Sequence, residues 1–299
     1  MQHYAGRFMN TDFSVAVSDG VAPGWRAQMR RWFAYVDREW SRFRDHNELS
    51  RLNQAPEGVK IGLPPPLYDV LRMAERYREL TEGRFSPFLK RAMEHQGYDR
   101  PFPFSHADDT PPFTFQLEER PIRFCGGNAI EKLTSEQLDL GGIAKGYAVQ
   151  SAAEWLKRQG AGFGMVDGGG DMTLWSDGSK EWNIGIADPW NRVEPIDVLR
   201  LKNRAVATSN RLYRSWMQGG RTKHHLLDGR SGRVVESDIV QATVMARDCV
   251  EAEVCAKMCF LLGCGEREEW FAERFPDVLY VLVMEDGTVV RNRSKESAS

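Results

Sequence analysis

Met165-Val166-Asp167-Gly168-Gly169-Gly170-Asp171-Met172-Thr173-Leu174-Trp175 reads as two short apolar strands joined by a glycine-rich turn, with no helix between them. Three consecutive glycines let a backbone turn sharply or approach a ligand closely. Further strands follow at Trp182–Ala187, Ile196–Leu201, Ala205–Thr208 and Thr243–Ala246, and Val278 to Met284 closes the set before a turn at Asp286-Gly287. Upstream, Thr11 to Val17 alternates as a half-buried strand does, and Arg123 to Leu133 reads as a hairpin turning at Gly126-Gly127-Asn128. Helices are expected over Pro23–Trp40, Leu67–Glu82, from Ser86-Pro87 to about Gly97, over Ile143–Gln159 and over Cys249–Leu262, with residues 100–113 as a loop. Strands outnumber helices and do not alternate with them, which argues against a doubly wound parallel sheet. The expected class is α+β, largely antiparallel sheets with flanking helices, as one compact unit over residues 1–291 with a polar, frayed tail at 292–299.

Composition narrows the function. The 299 residues carry 40 basic and 42 acidic side chains, a formal net charge of −2. A phosphate backbone rewards a clear basic excess, so nucleic acid is not an expected partner. No apolar run approaches the roughly 20 residues of a membrane-spanning helix, and Met1 to Phe8 lacks the apolar core of a signal peptide. The 5 cysteines include no C-x-x-C pair. Free thiols in odd number suit a reducing compartment, and a cytoplasmic location is expected.

Several nucleotide and hydrolase signatures are absent, including the Walker lysine, H-E-x-x-H and G-x-S-x-G. What remains is a series of glycine-rich, charged turns. Leu138-Asp139-Leu140-Gly141-Gly142-Ile143-Ala144-Lys145-Gly146-Tyr147 sets glycines at a helix start, where unpaired N–H groups and a lysine suit phosphate, although for an isolated case a tight turn with a solvated lysine is the preferred reading. His224-His225-Leu226-Leu227-Asp228-Gly229 places histidine beside an acidic turn, an arrangement open to a general base or a structural histidine. The Cys249–Leu262 helix is apolar on nearly every face and should be buried. Within it, Glu253 and Lys257 stand one turn apart. Removing one partner of a buried ion pair costs roughly 3–5 kcal/mol, so the pair calls for a function.

Taken in order, these segments resemble the FAD:protein FMN transferases, the ApbE-like family. The matching blocks are Met9–Val15, Ser41-Arg42-Phe43 leading to Glu48–Asn53, Thr81–Pro87, Asp139–Tyr147, Gly168–Asp171, Ala207-Thr208-Ser209, His225–Gly232 and Ala242–Gly263. The resemblance implies FAD as cofactor, bound in a deep cleft, and FMN transfer to a Ser or Thr hydroxyl of a target protein with release of AMP. By position it assigns Phe43 to stack on the flavin, and Met9, Thr11, Asn53, Asp139, Gly142, Ala144, Lys145, Gly169, Gly170, Asp171, Thr208, Ser209 and Asp228 to bind the cofactor. His225 is the implied base. The family holds Mg²⁺ through a carbonyl (here Ala144), an Asp and a Thr; this chain has Glu253 and Lys257 in place of the last two. Lysine is no metal ligand while protonated, so no metal is expected; Ala144 and Glu253 would be the ligands of one that bound. The expectation is that Lys257 replaces the ion, and that losing it strands Glu253 without a partner. Asn10 and Asn210 stand where the family prefers glycine. Two alternatives share the fold: an FAD-binding protein without transfer, and an FAD hydrolase.

Overall fold

The chain opens with a strand not expected from the sequence. β1 (Gln2–Phe8) pairs antiparallel with β2 (Thr11–Val17) in register from Gln2↔Val17 to Phe8↔Thr11. Its interior alternates between exposed and half-buried, as an edge strand does, which is why its hydrophobic signal is weak. Met9 and Asn10 form the two-residue turn at φ 48 and 57. Both values are positive, the backbone a tight hairpin demands, and Asn10 tolerates them where a glycine would be freer.

In this computed structural model the described residues are 1–191 and 193–292. They continue through α1 (Trp25–Glu39), α2 (Glu48–Gln54), β3 (Lys60–Gly62), α3 (Pro65–Leu80), α4 (Lys90–His95), β4 (Ile122–Phe124), β5 (Ala129–Lys132) and α5 (Ala144–Arg158). Then come β6 (Gly164–Gly168), β7 (Met172–Trp175), β8 (Trp182–Ala187), β9 (Pro195–Leu201), β10 (Arg204–Asn210), β11 (Ser215–Gln218), β12 (Arg221–His224) and β13 (Ile239–Ala246). Helices α6 (Cys249–Leu261) and α7 (Arg267–Arg274) precede β14 (Leu279–Met284) and β15 (Val289–Arg291). The α+β class and the antiparallel character are as expected. Of the expected tail, residues 293–299 lie outside the described residues; Asn292 accepts a hydrogen bond from the Tyr280 amide at 2.7 Å.

The helix expected from Ser86-Pro87 starts later, at Lys90. Asp139 N–H donates to the Pro87 carbonyl at 2.7 Å and Lys90 N–H to the Gln137 carbonyl at 3.1 Å. These bonds tie residues 87 and 90 to the 137–139 segment, so that the helix begins only after Leu89, and Ser86 Oγ accepts the Phe88 amide at 3.1 Å. Helix α7 was not anticipated; its buried Trp270 and Phe271 are its only strong apolar signal.

The contacts group into two compact units. The first comprises Met1–Ala34, Lys145–Leu212 and the chain from Glu236 on. Its sheet has 8 strands in the order β1-β2-β6-β7-β10-β13-β14-β15, every pair antiparallel. All 8 residues of β13 are buried, so both faces are covered. On one face, Leu174, Val206, Met245 and Val281 pack with Trp182, Ile184 and Ile186 of the β8–β9 ribbon. Helix α6 packs on β10 and β13, and the small residues of the opposite row, Ala205, Ala207, Ala242 and Ala246, let it approach. Except at Lys257 and Leu261, every residue of α6 is buried.

The second unit, Tyr35–Ala144 and Tyr213–Val235, holds the sheet β3-β5-β4 and the β11–β12 hairpin. Its aromatic core gathers Phe43, Tyr98, Phe104 and Trp216 with Leu89 and Met93.

Candidate functional site

In the first unit the sequence-selected residues converge on Glu253. Its carboxylate is 2% exposed. Oε1 lies 3.3 Å from the ammonium of Lys257 and 3.3 Å from that of Lys145, while Oε2 accepts the Gly146 amide at 2.8 Å. Lys257 also donates to the Glu253 carbonyl at 3.0 Å. Lys145 forms a short ion pair with buried Asp171. Two ammoniums thus share one oxygen, and two carboxylates balance them. Burial pushes the Glu253 carboxyl up, yet Lys145, Lys257 and the Gly146 amide together hold it below the ordinary glutamate value.

Two sequence expectations change here. Glu253 is not dependent on Lys257 alone, because Lys145 is an equal partner. The helix start, read as offering open N–H groups to phosphate, instead gives Gly146 to Glu253 and Ala144 N–H to the Leu140 carbonyl at 2.8 Å. A resident carboxylate meets the positive end of α5.

The donor set does not fit Mg²⁺. Both Glu253 oxygens face N–H donors, and the Lys257 ammonium has no lone pair to give. Among the described residues no three His, Cys, Asp or Glu side chains are grouped to hold a metal ion.

The glycine turn between β6 and β7 adjoins this cluster. A Cβ on Gly169 would collide with the Thr11 side chain, and one on Gly170 would lie 3.9 Å from Thr208 Cβ. Asp167 Oδ1 accepts the Gly170 amide at 2.8 Å, and burial raises its carboxyl against that amide and the Lys145 charge. Thr208 shares a 2.9 Å hydrogen bond with Thr243. Ser209 is the next residue of β10, so its side chain leaves the opposite face of the sheet. Met9 lies in the β1–β2 turn, two residues before Thr11.

In the second unit, Asp139 accepts the Gly141 amide at 2.7 Å and faces Arg42 Nε at 3.3 Å. The Arg42 guanidinium lies 4.4 Å from the Phe43 ring centroid and 4.2 Å from that of Tyr98. Asn53 grips the Leu138 backbone twice, donating to its carbonyl at 2.9 Å and accepting its amide at 2.7 Å. Asn53 is thereby a brace for the Asp139 segment. Gly142 sits in the turn that enters α5.

The blocks Thr81–Pro87 and His225–Gly232 also meet. Gly229 N–H donates to the Arg84 carbonyl at 2.8 Å, and a Cβ on Gly229 would lie 2.6 Å from Ser86 Cβ. Asp228 caps its own turn through the Arg230 amide at 2.7 Å. His224 is buried with both ring nitrogens engaged, Nδ1 by the Leu226 amide at 3.3 Å and Nε2 by the Val235 carbonyl at 3.1 Å. The amide must donate to Nδ1, so Nε2 carries the proton and the ring is neutral. His225 is half-buried beside it. Arg42, Tyr98 and Gly146 are residues to which the sequence alone gave no role; only their three-dimensional neighbours single them out.

No helix among the described residues is long and apolar enough to cross a membrane. The profile of the ApbE family matches residues 9–282. A Vibrio cholerae protein named FAD:protein FMN transferase is 27% identical, covering 95% of this chain and 88% of its own. A Treponema pallidum protein of the same name is 27% identical over 82% of this chain and 73% of its own. The crystal structure of the ApbE protein from Thermotoga maritima has the same fold, with TM-score 0.82 at 23% identity over 99% of both chains. The flavin transferase ApbE of Vibrio cholerae gives 0.78 at 22% identity, over 98% of this chain and 97% of that one. With nearly its whole length accounted for in this way, the chain belongs to the ApbE family.

Proposed function

We propose that this protein transfers FMN from FAD to a Ser or Thr hydroxyl of a target protein. The hydroxyl oxygen attacks the flavin-side phosphorus, the bond from that phosphorus to the bridging oxygen breaks, and AMP leaves with its electrons. The hydroxyl proton passes to His225. The observation that carries the reading is the pair of ammoniums around Glu253 in a chain of this family: they supply positive charge at fixed positions, as pyrophosphate cleavage requires. Two of the three Lys257 N–H donors are used inside the cluster, which leaves one for a phosphate oxygen. Lys257 takes over the electrostatic role of a divalent ion, and no step runs through a metal.

A second reading, FAD binding without transfer, draws on the same cluster. Two lysines against two carboxylates sum to zero, less charge than a cation brings to a leaving group. Incubation with FAD, with and without candidate targets, followed by mass spectrometry of protein and nucleotide, separates the readings. AMP with a flavinylated target supports transfer. Unchanged FAD supports binding alone, and free FMN without a labelled protein points to hydrolysis.

A further inference from the structure

Arg42 is a buried cation with a donor to spare. Its side chain is 6% exposed, and among the described residues its Nη1 is buried without a hydrogen-bond partner. Two aromatic rings approach the guanidinium, Phe43 at 4.4 Å and Tyr98 at 4.2 Å, their own centroids 5.8 Å apart. Nε faces the Asp139 carboxylate at 3.3 Å. The two ring contacts and the ion pair with Asp139 restrict how the group can turn, and Asp139 neutralises its charge. An unsatisfied buried donor on a charged group is costly to keep. Such a group persists where something else completes it.

We infer that Arg42 reads the ligand's flavin ring, its Nη1 donating in plane to a carbonyl oxygen of the isoalloxazine. The charge balance selects this acceptor. With Asp139 already opposite Nε, a second anion would leave the pocket negative, whereas a neutral carbonyl completes the donor without adding charge. The surrounding Phe43, Tyr98, Phe104 and Trp216 rings suit a flat heteroaromatic better than a hydrated phosphate. The inference rests on FAD being the ligand, as proposed above.

The test compares riboflavin, FAD and ADP on the full chain, wild type against Arg42→Met and Arg42→Lys. Arg42→Lys keeps a cation opposite Asp139 and so protects the fold, yet loses the planar fork. Both variants should bind riboflavin and FAD about 10- to 100-fold more weakly, with ADP affinity unchanged within about twofold. Riboflavin binding unaffected in Arg42→Lys, with circular dichroism confirming the fold, overturns the inference. Equal losses for ADP and riboflavin overturn it too, since the residue would then be structural. A wild type that binds riboflavin and FAD but transfers nothing refutes the transfer reading while leaving the Arg42 assignment standing. A wild type that binds no flavin refutes both.

Discussion

The amide of Gly146 donates to Glu253 Oε2 at 2.8 Å, and the same glycine lies so close to α6 that an added Cβ would fall 2.7 Å from the Cys249 carbonyl oxygen. The bond and the missing side chain are one device: α5 and α6 touch backbone to backbone so that the carboxylate reaches the helix start. Gly146→Ala should therefore cost about 1–3 kcal/mol through overpacking against backbone. A denaturant midpoint shift checks this, and an unchanged midpoint would refute the close approach.

Removing Glu253 and removing Lys257 should have unequal effects. Glu253→Gln breaks contacts with two ammoniums and should destabilise by about 3–5 kcal/mol. Lys257→Met leaves Glu253 with Lys145 and Gly146, so its cost should be clearly smaller. The pH sign follows from the depressed Glu253 carboxyl. Its contribution is fully present above the unfolded value of about 4.5 and disappears as pH falls through the lower folded value. Wild type should accordingly lose its advantage over Glu253→Gln only in acid. An advantage that instead vanished as pH rose towards 8 would contradict the assignment.

His225→Ala should slow transfer by about 10²–10⁴-fold with FAD affinity nearly unchanged. His224 offers no substitute, because both its ring nitrogens are already hydrogen-bonded within the fold. Single-turnover rates measured beside flavin titrations distinguish a lost base from lost binding, and full activity in His225→Ala would place the base elsewhere.

Converting the lysine cluster to an oxygen set should create metal dependence. Lys257→Thr combined with Glu253→Asp supplies a hydroxyl and a shorter carboxylate, ligands suited to Mg²⁺. FAD affinity of the double variant should rise about tenfold or more between EDTA and Mg²⁺, some 1.4 kcal/mol, while wild type is indifferent. A wild type that requires Mg²⁺ would show that the ammonium does not stand in for the ion.

Much of this was legible in the sequence because the signal was local. β2 announces itself by its alternation, α5 by its stop at Gly160 and α6 by an apolar run on nearly every face, and the turn at Gly126-Gly127-Asn128 takes the positive φ values its residues favour (73, 59 and 56). The Glu253–Lys257 pair follows from helical spacing on an apolar helix. Lys145 as the second partner does not, since 108 residues separate it from Glu253. Edge strand β1 and helix α7 were missed because their patterns are half polar. Ser86-Pro87 misled because a cap signature describes what a segment can do alone, while backbone bonds to residues 137 and 139 decided what it does.

The burial of α6 also makes the chain its own unfolding gauge. Cys249, Cys255 and Cys259 are buried, whereas Cys264 is exposed and Cys125 partly so. Burial pushes the Cys259 thiol up to about 12 and raises those of Cys249 and Cys255 as well, so the reactive thiolate is scarce at three of the 5 positions. A brief alkylation pulse should modify Cys125 and Cys264 in the native protein and all five once α6 opens. Because α6 carries Glu253 and Lys257, the mass increment of the three silent cysteines reports, without any engineered label, the fraction of molecules whose charge cluster has come apart.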